Sequence, residues 1–345
     1  MNTKIFFILL WCAYLPARPI IVAQDGSGDY STIQQAIDHF TPRDHTYQTI
    51  FIKKGIYKEK ISIDSTMHHL KIKGERAAKV TIVYTQARDI WRCENPDDYG
   101  AATFNIKGHD LIFEQLTIIN DYGFNATEDI IIDCAGEAGR SNLSTIQNFN
   151  LPREDGDQVG KKIVRKDGHQ FAVRSMPGAT RLKFFYCTFR SGGGDTMSPW
   201  DVDGGMYYFD HCVIEGGVDL YCPRGNAIIK NSLFICHNKS AAIWHDGSSK
   251  ASDQSVLIHC RFTGDPGFKL GRYHREAQMY LISCSFDGNM ADAEIYQAGD
   301  RKLEWGTRIY YRDCHRDGGD WGWFGDNTKL IKRDFTVQKV FGSKW

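Results

Sequence analysis

The feature that most constrains this chain is a repeat. Four segments share one pattern: "FFYCTFRSGG" at 184–193, "YFDHCVIEGG" at 208–217, "VLIHCRFTGD" at 256–265 and "YLISCSFDGN" at 280–289. Each has an apolar start, a cysteine, a β-type residue two places on, then glycine or serine. "IIKNSLFICH" at 228–237 fits with Ser232 in the cysteine slot, and "DLIFEQLTII" at 110–119 fits more loosely with Gln115 there. The slots Cys187, Cys212, Ser232, Cys260 and Cys284 are 25, 20, 28 and 24 residues apart. Sandwich strands follow one another at about 8–12 residues, whereas coils of a solenoid need this longer period. The expected architecture is all-β, a parallel β-helix. Coils spaced at about 4.8 Å stack their inward residues, so the cysteines form a buried ladder of free thiols rather than disulfides.

The rest of the chain is read around that repeat. Residues 18–345 read as one domain. Residues 121–168 are polar, carry "REDGDQVGKK", and break the rhythm as an excursion from the solenoid. Tyr30 to Phe40 has the apolar spacing of a helix. Lys4 followed by the apolar run Ile5 to Leu15 predicts a signal peptide over 1–17, with cleavage near Leu15-Pro16-Ala17 and export as the consequence. A lipid anchor at Cys12 is the lesser alternative, because Trp11 is bulky where a small residue is needed. Sequons occur at Asn125, Asn142 and Asn238. Lys plus Arg and Asp plus Glu are equal at 42 each, which argues against nucleic acid or an anionic membrane as partner. No later run is long enough for a membrane helix.

The ladder also serves as a ruler. Asp195 lies 8 residues after Cys187 and Asp219 lies 7 after Cys212. Nearly equal offsets in adjacent coils place the two carboxylates roughly 5–7 Å apart. Such neighbours do not ionise independently, and one holding the proton while the other stays charged supplies an acid and a base or nucleophile. Asp219 also interrupts an apolar run, "VDLYC", where a lone carboxylate would lose its hydration. No His, Cys and Asp cluster has metal-ligand spacing, so no cofactor is expected.

These residues carry a family resemblance. "VAQDGSGDYSTIQQAI" (22–37), "GIYKEKISI" (55–63), "HDLIFEQLTIIN" (109–120), "GDTM" (194–197), "VDLYCPRG" (218–225) and "LGRYH" (270–274) resemble, in order and approximate spacing, segments of the pectin methylesterases. The resemblance spans about residues 20–325 and implies a right-handed parallel β-helix that removes methyl esters from galacturonate residues of pectin. It implies Asp219 as nucleophile, Asp195 as general acid and base, Arg272 as the clamp on Asp219 and Gln170 as oxyanion donor. "GGDWGWFG" (318–325) resembles the family's C-terminal Gly-Trp segment and is expected to pack the last coil.

The departures bear on substrate and rate. Gly194 stands where the family has a second Gln, and losing one oxyanion donor typically costs about 10²–10³ in rate. Tyr273-His274 and "YCPRG" also differ and flank the cleft, so the substrate could be a decorated pectin. Trp200, Tyr221, Tyr273 and His274 are candidates to stack on sugar rings, and Arg224 to pair with a uronate carboxylate. His245 reads as a structural histidine. The expected partner is methylated galacturonan, and the expected state is a monomer. Two alternatives stay open: a non-catalytic relative that binds acidic polysaccharide in the same groove, and another β-helix enzyme such as a lyase, which would need clustered carboxylates for Ca²⁺.

Overall fold

A computed structural model describes residues 18–95, 97–134, 160–324 and 334–345. The expected leader, Cys12 and the Asn142 sequon lie outside them. Two long parallel sheets run the length of the molecule. One has ten strands in stacking order from Ile20–Val22 to Arg308–Arg312, and the other has nine from Gly55–Tyr57 to His315–Arg316. A third face is assembled from shorter strands, including Ala241–His245, Lys269–Tyr273 and Tyr296–Gln297. Chain segments visit the faces in turn, so the fold is the parallel β-helix that the repeat predicts.

The coils turn at one recurring corner. Gln115, Tyr186, His211, Asn231, His259, Ser283 and Asp313 all have positive φ, between 49° and 59°. This left-handed conformation is costly for residues other than glycine, least so for Asn and Asp. It is kept because the corner N–H groups from Gln115 to Ser283 donate to a carbonyl of the next coil, as in Tyr186 to Asp210 (3.0 Å) and His259 to Ile282 (2.9 Å). The residue after each corner is the ladder slot. Leu116, Cys187, Cys212, Ser232, Cys260, Cys284 and Cys314 occupy it, and all are buried. The first loose repeat is thus corrected by one place. Gln115 is the corner, its amide accepting from the Ala77 N–H, and Leu116 faces inward because that is the slot's direction.

The ladder thiols are free, as expected, and each donates weakly to carbonyls. Cys260 Sγ lies 3.6 Å from Ile229 O and Ile258 O, and Cys284 Sγ 3.6 Å from Leu257 O and Ile282 O. Aromatic stacks fill the same core. Phe184 lies between Phe113 and Phe209 with both centroid distances 4.8 Å, and Phe234 stacks on Phe262 at 4.3 Å. Such pairs add to burial because offset rings match their quadrupoles.

The N-terminal helix is shorter than its apolar pattern, Ile33–Asp38. Thr32 caps it by accepting from Gln35 N, and the Glu59 carboxylate accepts from Ile33 N and Gln34 N. The described ends of the excursion, Ile130–Cys134 and Gly160–Val164, pair as an antiparallel ribbon. A disulfide joins Cys134 to Cys93, away from the ladder.

Removing a stacked ring should cost more than exchanging a ladder sulfur. Phe184→Ala is expected to lower unfolding free energy by about 3–5 kcal/mol. Cys260→Ser should cost no more than about 1.5 kcal/mol, because Ser232 already fills that slot and donates to Lys230 O. Denaturant unfolding of the two variants checks this order.

Candidate active site

The third face is where the carboxylates meet. Parallel bridges His169↔Gly194, Gly194↔Val218 and Met197↔Tyr221 set the register there and place Asp195 level with Asp219 in adjacent coils. The Asp195 N–H donates to Val218 O (3.1 Å) and the Asp219 N–H to Ala241 O (2.7 Å). Both residues are left-handed, at φ 58° and 49°. Strain of that kind persists only where neighbours enforce it, and it clusters at functional sites. Both side chains are buried, Asp195 to 6% and Asp219 to 7% exposure.

Arg272 reaches Asp219 from two coils further on. Its Nε donates to Oδ1 at 3.1 Å and its Nη2 to Oδ2 at 2.6 Å, a two-point clamp that fixes the carboxylate's plane. Burial nevertheless dominates and pushes the Asp219 carboxyl up to about 6. The Arg272 hydrogen bonds pull it back, and the charge of Asp195 pushes it further up. Cys222 lies against the pair, its Sγ donating to Asp219 O at 2.9 Å. Burial, then Asp195 and Asp219, hold that thiol well above its ordinary range. Among the described residues no group of His, Cys, Asp and Glu is arranged to hold a metal ion.

The other expected site residues separate into two groups. His274 stays at the rim, its side chain 47% exposed and its Nδ1 3.3 Å from Asp246 Oδ1. Four others are corrected by burial. Tyr221 is wholly enclosed, edge-on to Phe209 and Phe234. Tyr273 is in the core with its hydroxyl 3.4 Å from Thr307 Oγ1. Trp200 is buried between the guanidinium groups of Arg174 and Arg224, each 4.0 Å from its ring centre, so its faces cannot take a sugar. Arg224 is fully buried and pairs with Asp246 at 3.7 Å rather than reaching a uronate. His245 is buried and its imidazole is held down to about 3, first by desolvation and then by Arg224, which suits a neutral structural histidine.

Gln170 is near the pair but engaged. It is fully buried, its Oε1 accepts from Gly123 N (2.8 Å), and its Nε2 donates to Lys166 O (2.5 Å). The carboxamide thereby braces the two ends of the excursion. Gly194 has little space: a Cβ there would come within 3.0 Å of Val218 Cγ1.

Sequence reasoning passed over a second column. Trp244, Arg272 and Tyr296 are register partners on successive strands of the third face, and each lies 12 residues after its ladder slot, Ser232, Cys260 and Cys284. The ruler that located the aspartates would have located them too. Trp244 is half-buried with the Arg272 guanidinium 4.8 Å from its ring, and Tyr296 is exposed. These two flank the clamp where Tyr221 and Tyr273 do not. His169 was also missed. Its Nε2 lies 3.8 Å from Asp195 Oδ1.

Comparison with known proteins agrees with the fold. The family model for Pectinesterase matches residues 19–148. An Arabidopsis thaliana relative, "Probable pectinesterase 29", is 26% identical over 315 residues, covering 85% of this chain and 78% of its own. Among solved structures, a pectin methylesterase in complex with a hexasaccharide and the one from Erwinia chrysanthemi each align with TM-score 0.66 at 17% identity. Each covers 95% of this chain and 98% of its own. At that identity the structural likeness concerns the fold.

The raised Asp219 carboxyl has a stability consequence. The folded group titrates at about 6 and the unfolded one near 3.8, so the native state holds the proton more tightly. Stability from this group is complete below the unfolded value and is lost as pH rises through about 6. Asp219→Asn should therefore be more stable than the unaltered protein at pH 7, by roughly 1–3 kcal/mol, and the difference should vanish near pH 4. Thermal unfolding at the two pH values tests this.

Proposed function

The chain belongs to the pectinesterase family, and from that premise we propose that it hydrolyses methyl esters of galacturonate in pectin through Asp219 and Asp195. The observation that carries the reading is the Asp219–Arg272 clamp beside a second buried carboxyl. An ionised Asp219 attacks the ester carbonyl carbon. Asp195, protonated, gives its proton to the departing methoxide, and methanol leaves. The acyl group is then an anhydride on Asp219, which water splits while Asp195 takes the water's proton. Arg272 keeps the nucleophile's plane fixed through both steps. The oxyanion is the step with fewest side-chain donors, since position 194 has none and the Gln170 amide already serves Lys166 O. Turnover below that of a site with two donors follows.

The groove suits a sugar chain at its rim. Trp244 and Tyr296 flank Arg272, and His274 stands one step beyond with Asp246 behind it. Export of the chain by a leader at 1–17 fits a substrate outside the cell. Among the described residues no helix is long and apolar enough to cross a membrane. The engaged Gln170 favours one second reading, a relative that binds acidic polysaccharide without turnover. Methanol release separates the two, because a binder would retain glycan affinity in Asp219→Asn and release none.

Activity should follow the ionisation of the nucleophile. The rate constant kcat/KM is expected to rise with pH through about 6. Arg272→Ala should move that rise to higher pH, because its hydrogen bonds are what lower the Asp219 carboxyl. Asp195→Asn should lower kcat by about 10²–10⁴-fold. Methanol assays on methylated pectin across pH check all three, and a rise unmoved by Arg272→Ala would remove the clamp from the mechanism.

A further inference from the structure

The third face does not end at Arg272. On the three coils that carry Trp244, Arg272 and Tyr296, the chain runs on past that column into a cavity of about 270 Å³. Ser248 lies four residues after Trp244, Arg275 three after Arg272 and Arg301 five after Tyr296, and all three line it. His274 connects column and cavity. It precedes Arg275 in the chain and abuts Gly299, where a Cβ would come within 3.6 Å of its Nε2. The Ser248 N–H donates to Glu276 O at 2.7 Å. The Glu276 carboxylate accepts from the N–H groups of Glu304 and Trp305, which ties the 301–305 stretch to the coil before it.

The lining has two kinds of wall. Arg275, Arg301 and Lys302 bring three cations against the carboxylates of Glu276 and Glu304, and Glu276 is already engaged by backbone N–H groups. Leu303 and Trp305 supply an apolar side, Leu303 packing on the core and the Trp305 ring held by the Arg308 guanidinium 5.0 Å from its centre. The Ser248 hydroxyl is buried without a hydrogen-bond partner among the described residues, so it is open to one that a ligand brings. Cations, an apolar wall and a hydroxyl together suit a sugar ring that bears a free carboxylate. The volume is just below the roughly 300 Å³ at which drug-sized pockets begin, which is room for one ring. We propose that this cavity is a subsite for an unesterified uronate of the same galacturonan chain whose methyl ester lies at Asp219, so the preferred substrate is partly de-esterified pectin. The inference rests on the methylesterase reading given above. A methyl ester on the bound unit would remove the charge that the cations meet, so the subsite distinguishes the acid from its ester.

The test uses the full chain and the ratio of two kcat/KM values for methanol release. One is measured on fully methylated pectin and the other on the same pectin partly de-esterified at random by base, each counted per remaining ester. The unaltered protein should favour the second by about three- to fivefold at low salt, and by less as salt screens the cations. Arg301→Gln combined with Lys302→Gln should bring the ratio close to one, whereas Glu304→Gln, which removes an opposing charge, should raise it. All three positions are exposed, so unfolding temperatures should match. A merely structural role would not move the ratio in opposite directions. A ratio of one or less in the unaltered protein, or a ratio that the double variant leaves unchanged, overturns the subsite. Calorimetric titration with unesterified hexagalacturonate tests it without turnover. Binding several-fold weaker in the double variant supports the cavity, and equal binding overturns it. If neither pectin yields methanol, the esterase reading fails and the titration alone decides the subsite.

Discussion

The whole structure depends on the left-handed corner. At seven successive coils a residue with positive φ turns the chain, and at the first six its N–H is handed to the next coil's carbonyl. The N–H two places after the corner then bonds back to the previous coil, as in Val213 to Cys187 O and Arg261 to Ser232 O, both 2.9 Å. The local cost of a tyrosine or histidine in this conformation is offset by an unbroken backbone ladder, since an unpaired buried backbone group would be worse. Because the corner fixes where each coil starts, every downstream side chain is indexed to it. The slot residues, the stacked rings and the paired carboxylates of Asp195 and Asp219 are positions on that index.

Within this frame the site is a balance of opposed terms. Burial alone would keep Asp219 protonated and unfit for the nucleophile's part proposed for it. A clamp alone would hold it so firmly charged that it would be a poor one. Arg272 offsets part of the desolvation, and Asp195 restores some of it. The result is a carboxylate that is ionised near neutrality yet not fully stabilised. Arg174 and Arg224 both lie against the Trp200 ring, and Arg224 links through Asp246 to the half-exposed His274. Trp200 and Arg224, expected at the sequence level to meet a ligand, are thus buried supports.

How much could be read beforehand follows from the same indexing. The coil period, the thiol ladder and the aspartate pair were legible because each repeats or falls at a matching offset, whereas the Arg272 clamp was expected only from the family resemblance of "LGRYH". Tyr221, Tyr273 and Trp200 were misplaced because residue type alone does not say which side of a pleated coil a ring faces. Counting from the slot does: the exposed Tyr296 and the half-buried Trp244 share the offset of Arg272. Gln115 was misread by one place because a loose repeat hides the corner residue. The excursion gave no such frame, so the link between Gln170, Gly123 and Lys166 had no sequence signal. His169 sits just after that excursion, with no slot before it to count from.

The cysteines divide into two populations, and the division describes how the chain must mature. Among the described residues, Cys93 and Cys134 are joined in peripheral segments, whereas seven others are buried thiols, five of them in the ladder. In an oxidising compartment an unfolded chain would expose all of them to mispairing. Each coil hides its own thiol only when the next coil closes over it. Assembly that proceeds rung by rung would shield the ladder in sequence and leave the peripheral pair as the one accessible to oxidant. The order in which coils close would then act as a protecting group, deciding by shape alone which sulfurs remain reduced.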